Sequence, residues 1–397
     1  MPLRKKILFL CNAVTLAHPA RSVTLAKGLN PEEYEVVLYM DDHYDALLGE
    51  LPFRRHSLGS MKPQEFSQRL SQGKPLFNAP IVKAELARDF EILEKEKPDL
   101  VIGDMRITLQ VSARKLRIPY LNLTNAYWSP YAKQRYPMPD LPITRVTGYM
   151  LAETVLNLAH PLIFLSHTSA INHARRSYGM QSHGGSLKQA YTDADFVAYC
   201  DLESLIPLPG MAGHHRHIGP VLWAPENMPL PKWWDDIPAN TSSIYVNLGS
   251  SGNSALLPQI LRVLSKLDAR IIAATAGANI QGEFPSNIYL AKWLPGDRVC
   301  EKASIVISNG GNPSTMQALA GGAYSIGLCN NMDQHMNMQY LEMAGVGISC
   351  KNIEHLPDII IAQSNNKNDQ VNDYQNEIKK ISAVKNISGF IDQILSR

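Results

Sequence analysis

The residues Ser308-Asn309-Gly310-Gly311-Asn312-Pro313-Ser314-Thr315 follow a short apolar run and precede a helix-like stretch. Asn312 reads as the N-cap, Pro313 as the first helical position, and Ser314 and Thr315 as the first turn. Glycines before a helix start let backbone N–H groups close on an anion, and the helix dipole favours negative charge there. The turn is therefore either a diphosphate cradle or a plain strand–helix connection. A second candidate is His18, in Ala17-His18-Pro19-Ala20-Arg21, on a predicted loop after the first apolar run. An imidazole there can take a proton near neutral pH if a carboxylate holds its other nitrogen and offsets the developing charge. Otherwise a lone histidine at such a place is structural.

Three further groups are weaker signals. Tyr127, Trp128 and Tyr131, in the stretch Asn125–Tyr131, could line an acceptor pocket or simply pack a loop. Arg175 and Arg176 could meet a charged acceptor, although a solvated helix face is the default. Gly213-His214-His215-Arg216-His217 invites a metal reading, but no second ligand group is evident, and we expect no metal.

These residues need elements to hold them. In the first half Lys6–Leu10, Tyr34–Met40, Leu100–Asp104, Pro119–Thr124 and Phe196–Cys200 read as buried strands. Helical patterns such as Ser22–Leu29 and Val82–Lys97 lie between them. The second half repeats the pattern with Ser243–Leu248, Arg270–Ala274, Ile288–Trp293, Ile305–Ser308, Tyr324–Leu328 and Gly347–Cys350. Alternating β and α implies parallel sheets covered on both faces. A Pro-rich stretch without periodicity reads as a linker. The division is 1–222 for a first domain, 223–241 for the linker and 242–397 for a second, with the last helix able to pack back on the first. Ser364–Lys380 reads as a solvated helix or loop.

The 397 residues suit two to three domains at about 150 residues each. The formal net charge of +2 offers no global field for nucleic acid or an anionic membrane. Five scattered cysteines form neither a disulfide framework nor a zinc site, so a cytoplasmic location is expected. The start reads as a buried first strand rather than a signal peptide. No window is apolar enough for a transmembrane segment. G-x-G-x-x-G and the P-loop pattern are both missing, which disfavours a dinucleotide oxidoreductase and a P-loop enzyme.

The second half resembles the sugar-nucleotide-binding region of the UDP-glycosyltransferase superfamily, GT1-like enzymes of bacterial natural-product type. The resemblance runs over about 100 residues, through Leu248-Gly249-Ser250, Trp293-Leu294-Pro295, the Asn309-Gly310-Gly311 turn and Asp333-Gln334. It implies a GT-B fold: two Rossmann-like α/β domains with parallel sheets facing across an interdomain cleft. It also implies that Trp293 stacks on the nucleobase and that Ser250 and Ser251 touch the phosphates. Asn309, Gly310, Gly311 and Ser314 would hold the diphosphate, Gln317 the ribose, and Asp333 and Gln334 the sugar hydroxyls. Asn309 and Gln317 stand where the family has His and Glu, Gly296 replaces a Gln, and Tyr324 and Cys329 replace prolines. In the first half His18 matches the family's general base, and Asp104 lies in the stretch that supplies its carboxylate partner, whereas Asp99 reads as a turn residue.

The function implied is an inverting hexosyltransferase of EC class 2.4. It would move a sugar from a nucleoside diphosphate sugar, UDP first and dTDP next, to a hydroxyl of a small-molecule acceptor. The nucleotide sugar is a co-substrate, with no cofactor and no nucleic-acid partner; nothing in the sequence specifies an oligomeric state. A non-catalytic nucleotide-sugar-binding or auxiliary protein and a sugar-nucleotide epimerase on the same fold are the alternatives. Intact His18, Asp104 and Asp333-Gln334 argue against the first, and the lack of a cleft carboxylate pair against the second.

Overall fold

Ile7–Cys11 bury every side chain, and a strand with no polar face must lie inside a sheet covered on both sides. A computed structural model describes the chain over residues 4–137, 149–225, 228–237, 243–249, 252–275, 280, 284–364 and 369–396. Two compact units divide it: Met1–Val221 with Ser382–Arg397, and Leu222–Ile381.

The first unit holds β1 (Lys5–Cys11), β2 (Tyr34–Tyr39), β3 (Arg54–His56), β4 (Leu100–Asp104), β5 (Tyr120–Thr124), β6 (Phe196–Tyr199) and β7 (His215–His217). All pairings are parallel, in the order β3-β2-β1-β4-β5-β6-β7. The edge strands β3 and β7 are absent from the sequence reading. Each has three residues, Arg-Arg-His and His-Arg-His, with no apolar run to announce it. The order reverses between β1 and β4, where Cys11 is in register with Asp104. Such a switch point opens a crevice beyond the strands' carboxyl ends.

The helix after β1 spans Ala17–Lys27, starting five residues before the expected Ser22. Pro19 fits its first turn, where a missing N–H leaves no helical bond unmade. His18 therefore rides on a helix N-terminus, not on a loop. The closing helix Ala383–Leu395 belongs to this unit and buries Ile387, Phe390, Ile391 and Ile394. Phe390 packs edge-on against Phe196 at 5.9 Å, and Asn386 donates to the Ile218 carbonyl.

The second unit holds β8 (Ser243–Asn247), β9 (Arg270–Ala274), β10 (Ile288–Ala291), β11 (Ile305–Ser308), β12 (Tyr324–Gly327) and β13 (Gly347–Ser349). They run parallel in the order β10-β9-β8-β11-β12-β13, with the switch point between β8 and β11. The expected linker is anchored here: Trp234 and Ile237 are buried in a cluster with Tyr245, Val299 and Val306. The tail helix Asp369–Lys380 buries Val371 and Ile378, so it is packed along one stripe rather than wholly solvated. Among the described residues no helix is long and apolar enough to cross a membrane.

Candidate active site

At the first switch point the Asn12 N–H donates to the Asp104 carbonyl at 3.1 Å, pinning the ends of β1 and β4 together. The chain then enters the helix Ala17–Lys27, which turns His18 back over Asp104. His18 Nδ1 lies 2.8 Å from Asp104 Oδ1, leaving the other ring nitrogen for a reacting group. The imidazole keeps 19% of its side-chain surface, whereas Asp104 keeps 1%.

Sequence reasoning missed the third member. Arg21, one turn beyond His18, grips Asp104 with a fork: Nε to Oδ2 at 2.8 Å and Nη2 to Oδ1 at 2.6 Å. Its third nitrogen donates to Asn125 Oδ1 at 3.2 Å. Its i, i+3 spacing puts it on the same face as His18 only because the helix starts at Ala17 rather than Ser22. Burial pushes the Asp104 carboxyl up, but Arg21 and His18 beside it outweigh this and hold it down at about 2. Asp104 is thus a firm anion at neutral pH.

A second buried network sets the turns beneath this pair. Arg106 lies against Asp89 at 2.8 Å and Glu85 at 3.1 Å, with no exposed side-chain surface. It also donates to Asn12 Oδ1 at 3.0 Å, while Asn12 donates to Glu85 and to the Met105 carbonyl, each at 2.9 Å. Met105 itself has φ of 55°, the sharp turn that ends β4 at Asp104. Asp99, read as a turn residue, accepts from the Lys6 N–H at 2.8 Å and pairs with Lys5.

The aromatic loop is only partly available. Tyr127 is 1% exposed and belongs to the core, so of the three proposed acceptor residues it cannot offer its ring to a ligand. Trp128 packs edge-on against Tyr191 at 5.0 Å and Tyr131 against His215 at 5.4 Å, both half-buried. Arg175 corrects the expectation of a solvated face. It is buried, donates to Gln110 Oε1 at 2.9 Å and pairs with Asp193, while Arg176 is exposed. The histidine run forms β7, and the Tyr199 hydroxyl bonds His215 at 2.7 Å; no metal-holding group of three occurs among the described residues.

In the second unit the two glycine turns meet at the switch point. A Cβ on Gly249, after β8, would stand 3.5 Å from Asn309 Nδ2, after β11. Ser250 and Ser251 lie outside the described residues. Gly310 has φ of 77°, and a Cβ on it would come within 2.6 Å of Cys329 Sγ and 2.8 Å of Met338 Cγ. Asn337, fully buried, donates to the Gly310 carbonyl and to Thr315 Oγ1, each at 2.9 Å, which ties the turn to the next helix.

The helix is Asn312–Gly321 with Gly311 as its cap, so Asn312 is the first helical residue and not the expected N-cap. Two turn amides expected to face an anion are engaged locally. The Gly310 N–H donates to Ser308 Oγ at 3.1 Å and the Gly311 N–H to Asn309 Oδ1 at 3.2 Å. Ser314, half-exposed in the first turn, lies at the helix end whose N–H groups have no intrahelical partner.

Trp293 follows β10 with 40% of its surface exposed. Gln317 donates to the Trp223 carbonyl, and a Cβ on Gly296 would meet its Oε1 at 2.7 Å. The side chain missing at 296 is thus the space that Gln317 fills. Asp333 is half-exposed in the first turn of the helix Met332–Met343. Gln334 is buried, with its side-chain carbonyl on the Asn330 N–H at 2.9 Å.

Two parallel α/β units, each with motif turns at its switch point, make up the architecture of the GT-B class. The erythromycin biosynthesis protein CIII-like family, C-terminal domain, matches residues 258–382. A PGL/p-HBAD biosynthesis glycosyltransferase of Mycobacterium tuberculosis (strain ATCC 25177 / H37Ra) is 42% identical over 345 residues, covering 87% of this chain and 80% of that protein. A PGL/p-HBAD biosynthesis rhamnosyltransferase of Mycobacterium bovis (strain BCG / Pasteur 1173P2) is 41% identical over 345 residues, covering 87% and 76%. The glycotransferase of kitacinnamycin superposes with a TM-score of 0.73 over 99% of this chain and 100% of its own, at 16% identity. The spinosyn rhamnosyltransferase SpnG complexed with thymidine diphosphate gives 0.68 over 97% and 99%, at 15% identity. The chain belongs to the family of the PGL/p-HBAD biosynthesis glycosyltransferases.

Proposed function

We propose that the protein transfers a sugar, with inversion, from a pyrimidine nucleoside diphosphate sugar to a hydroxyl of a small lipophilic acceptor. The observation that carries this reading is His18 held at 2.8 Å by Asp104, an ionised carboxylate at a switch point. His18 takes the acceptor proton, and the freed oxygen attacks the anomeric carbon from the face opposite the diphosphate. The C1–oxygen bond to the diphosphate breaks, and the nucleoside diphosphate leaves with the bonding electrons. Asp104 stabilises the imidazolium that forms.

On the donor side we assign Trp293 to the base and Ser314 with Ser250, Ser251 and Asn309 to the diphosphate, with Gly310 and Gly311 shaping the turn whose N–H groups Ser308 and Asn309 hold. The helix dipole of Asn312–Gly321 favours the leaving charge. Gln317 keeps one side-chain oxygen for the ribose and Asp333 takes the sugar hydroxyls, while Gln334, buried and bonded to the Asn330 N–H, braces the turn beside it. The thymidine diphosphate bound by SpnG supports placing dTDP beside UDP among the donors. No metal takes part in this scheme, and four buried free cysteines suit a reducing cytoplasm.

The test is calorimetric titration with UDP, dTDP, GDP and ADP, paired with a transfer assay. One pyrimidine nucleotide should bind wild type and His18→Ala alike and bind Trp293→Ala weakly. His18→Ala should lower transfer by about 10²–10⁴-fold with donor binding intact. Undiminished transfer in that variant removes the base assignment, and binding of none of the four nucleotides removes the donor site.

A further inference from the structure

A histidine paired with one buried carboxylate gains basicity, because the anion favours the imidazolium. That simple dyad is not what this chain builds. Arg21 Nη2 and His18 Nδ1 share one oxygen of Asp104, at 2.6 and 2.8 Å, and Arg21 Nε takes the other oxygen. Asp104 and Arg21 together carry no net charge. The same guanidinium reaches Asn125 Oδ1, and Asn125 in turn donates to Asp201, which also accepts the Ala126 N–H at 2.6 Å.

We infer that Arg21 is a positioning residue for the transfer reaction. It offsets part of the Asp104 charge that His18 Nδ1 faces, and it ties the His18–Asp104 pair to the loop after β5. The inference rests on the general-base reading of His18. The other titratable groups around the cluster are Cys11 on β1, Asp41 past β2, Tyr120 on β5, and Cys200 and Asp201 past β6; Asp201 is a second carboxylate acting on Arg21. Burial pushes both thiols up, Cys200 to about 12, so neither adds charge near neutrality. Ser22, behind Asp104, adds a hydrogen bond at 3.4 Å but no charge.

The experiment follows the His18 imidazole by NMR in the full chain labelled at histidine Cε1, with the resonance assigned by its loss in His18→Ala. Removing the cation in Arg21→Met should raise the titration midpoint by about 1 to 2 pH units. Arg21→Lys keeps the charge and should restore the wild-type midpoint while losing the fork. Arg21→Gln, neutral but still a donor, should titrate like Arg21→Met, which guards against a folding defect in the latter. An unchanged midpoint in both neutral variants overturns the inference, as does a midpoint in Arg21→Lys that moves with them. Failure of the base reading is separate: it appears as transfer surviving in His18→Ala, whatever Arg21 does to the titration.

Discussion

Asp104 is nearly inaccessible yet ionised, and the donors around it explain why. Its carboxyl lies at about 2 rather than the ordinary 3.8, because Arg21 and His18 outweigh the effect of burial. A folded value below the unfolded one stabilises the fold at neutral pH. That contribution, about 2 kcal/mol, is lost as the pH falls from about 4 toward 2. Asp41, gripped by Ser57, Ser60 and two backbone N–H groups, is likewise held at about 2 despite burial and adds to the same loss. Thermal unfolding should therefore show Asp104→Asn less stable than wild type at neutral pH, with the gap closing below about pH 3. A gap that stays constant with pH would mean the carboxylate is not ionised. The residue types His18 and Asp104 were legible in the sequence. Arg21 was not, since nothing in one dimension says that its guanidinium reaches 83 residues along the chain.

The strand–turn–helix around Gly310 shows how an element fixes a site. β11 is buried on both faces, so the turn must leave the sheet within a few residues of Ser308. Gly310 allows this at positive φ, and Cys329 and Met338 close the space a side chain would need. Gly310→Ala combines left-handed strain with two sub-3 Å contacts, so it should cost about 1–3 kcal/mol. It should also weaken pyrimidine nucleotide binding, read by calorimetry, while the His18 environment in the first unit stays unchanged. The turn was legible from its glycines and the proline after them. The cap was not: the same Asn-Gly-Gly-Asn run allows a helix to start at either residue, and the Thr315 N–H, donating to the Gly311 carbonyl at 3.1 Å, makes Gly311 the cap.

At the scale of the whole molecule, the last helix returns to the unit that begins the chain. Phe390 is 2% exposed, lies against Phe196, and carries the Arg216 guanidinium 4.5 Å above its ring. Phe390→Ala should cost the first unit about 3–5 kcal/mol, the usual range for a buried aromatic residue. Differential scanning calorimetry would show its transition moving down while that of the second unit stays in place. Equal movement of both transitions would mean the units unfold together.

Two parallel α/β units and the residues of both turns were readable from the sequence alone. Buried strands in a parallel sheet are written as short apolar runs, and glycine turns carry their own conformational signature. Polar edge strands escaped, because β3 and β7 present no apolar face. Tertiary structure alone decided that Tyr127 and Arg175 are buried, that Gln317 leans on Gly296, and that Arg21 divides Asp104 with His18. Each of these depends on which side chains fill the same space or share the same charge, and distance in space is not written in distance along the chain.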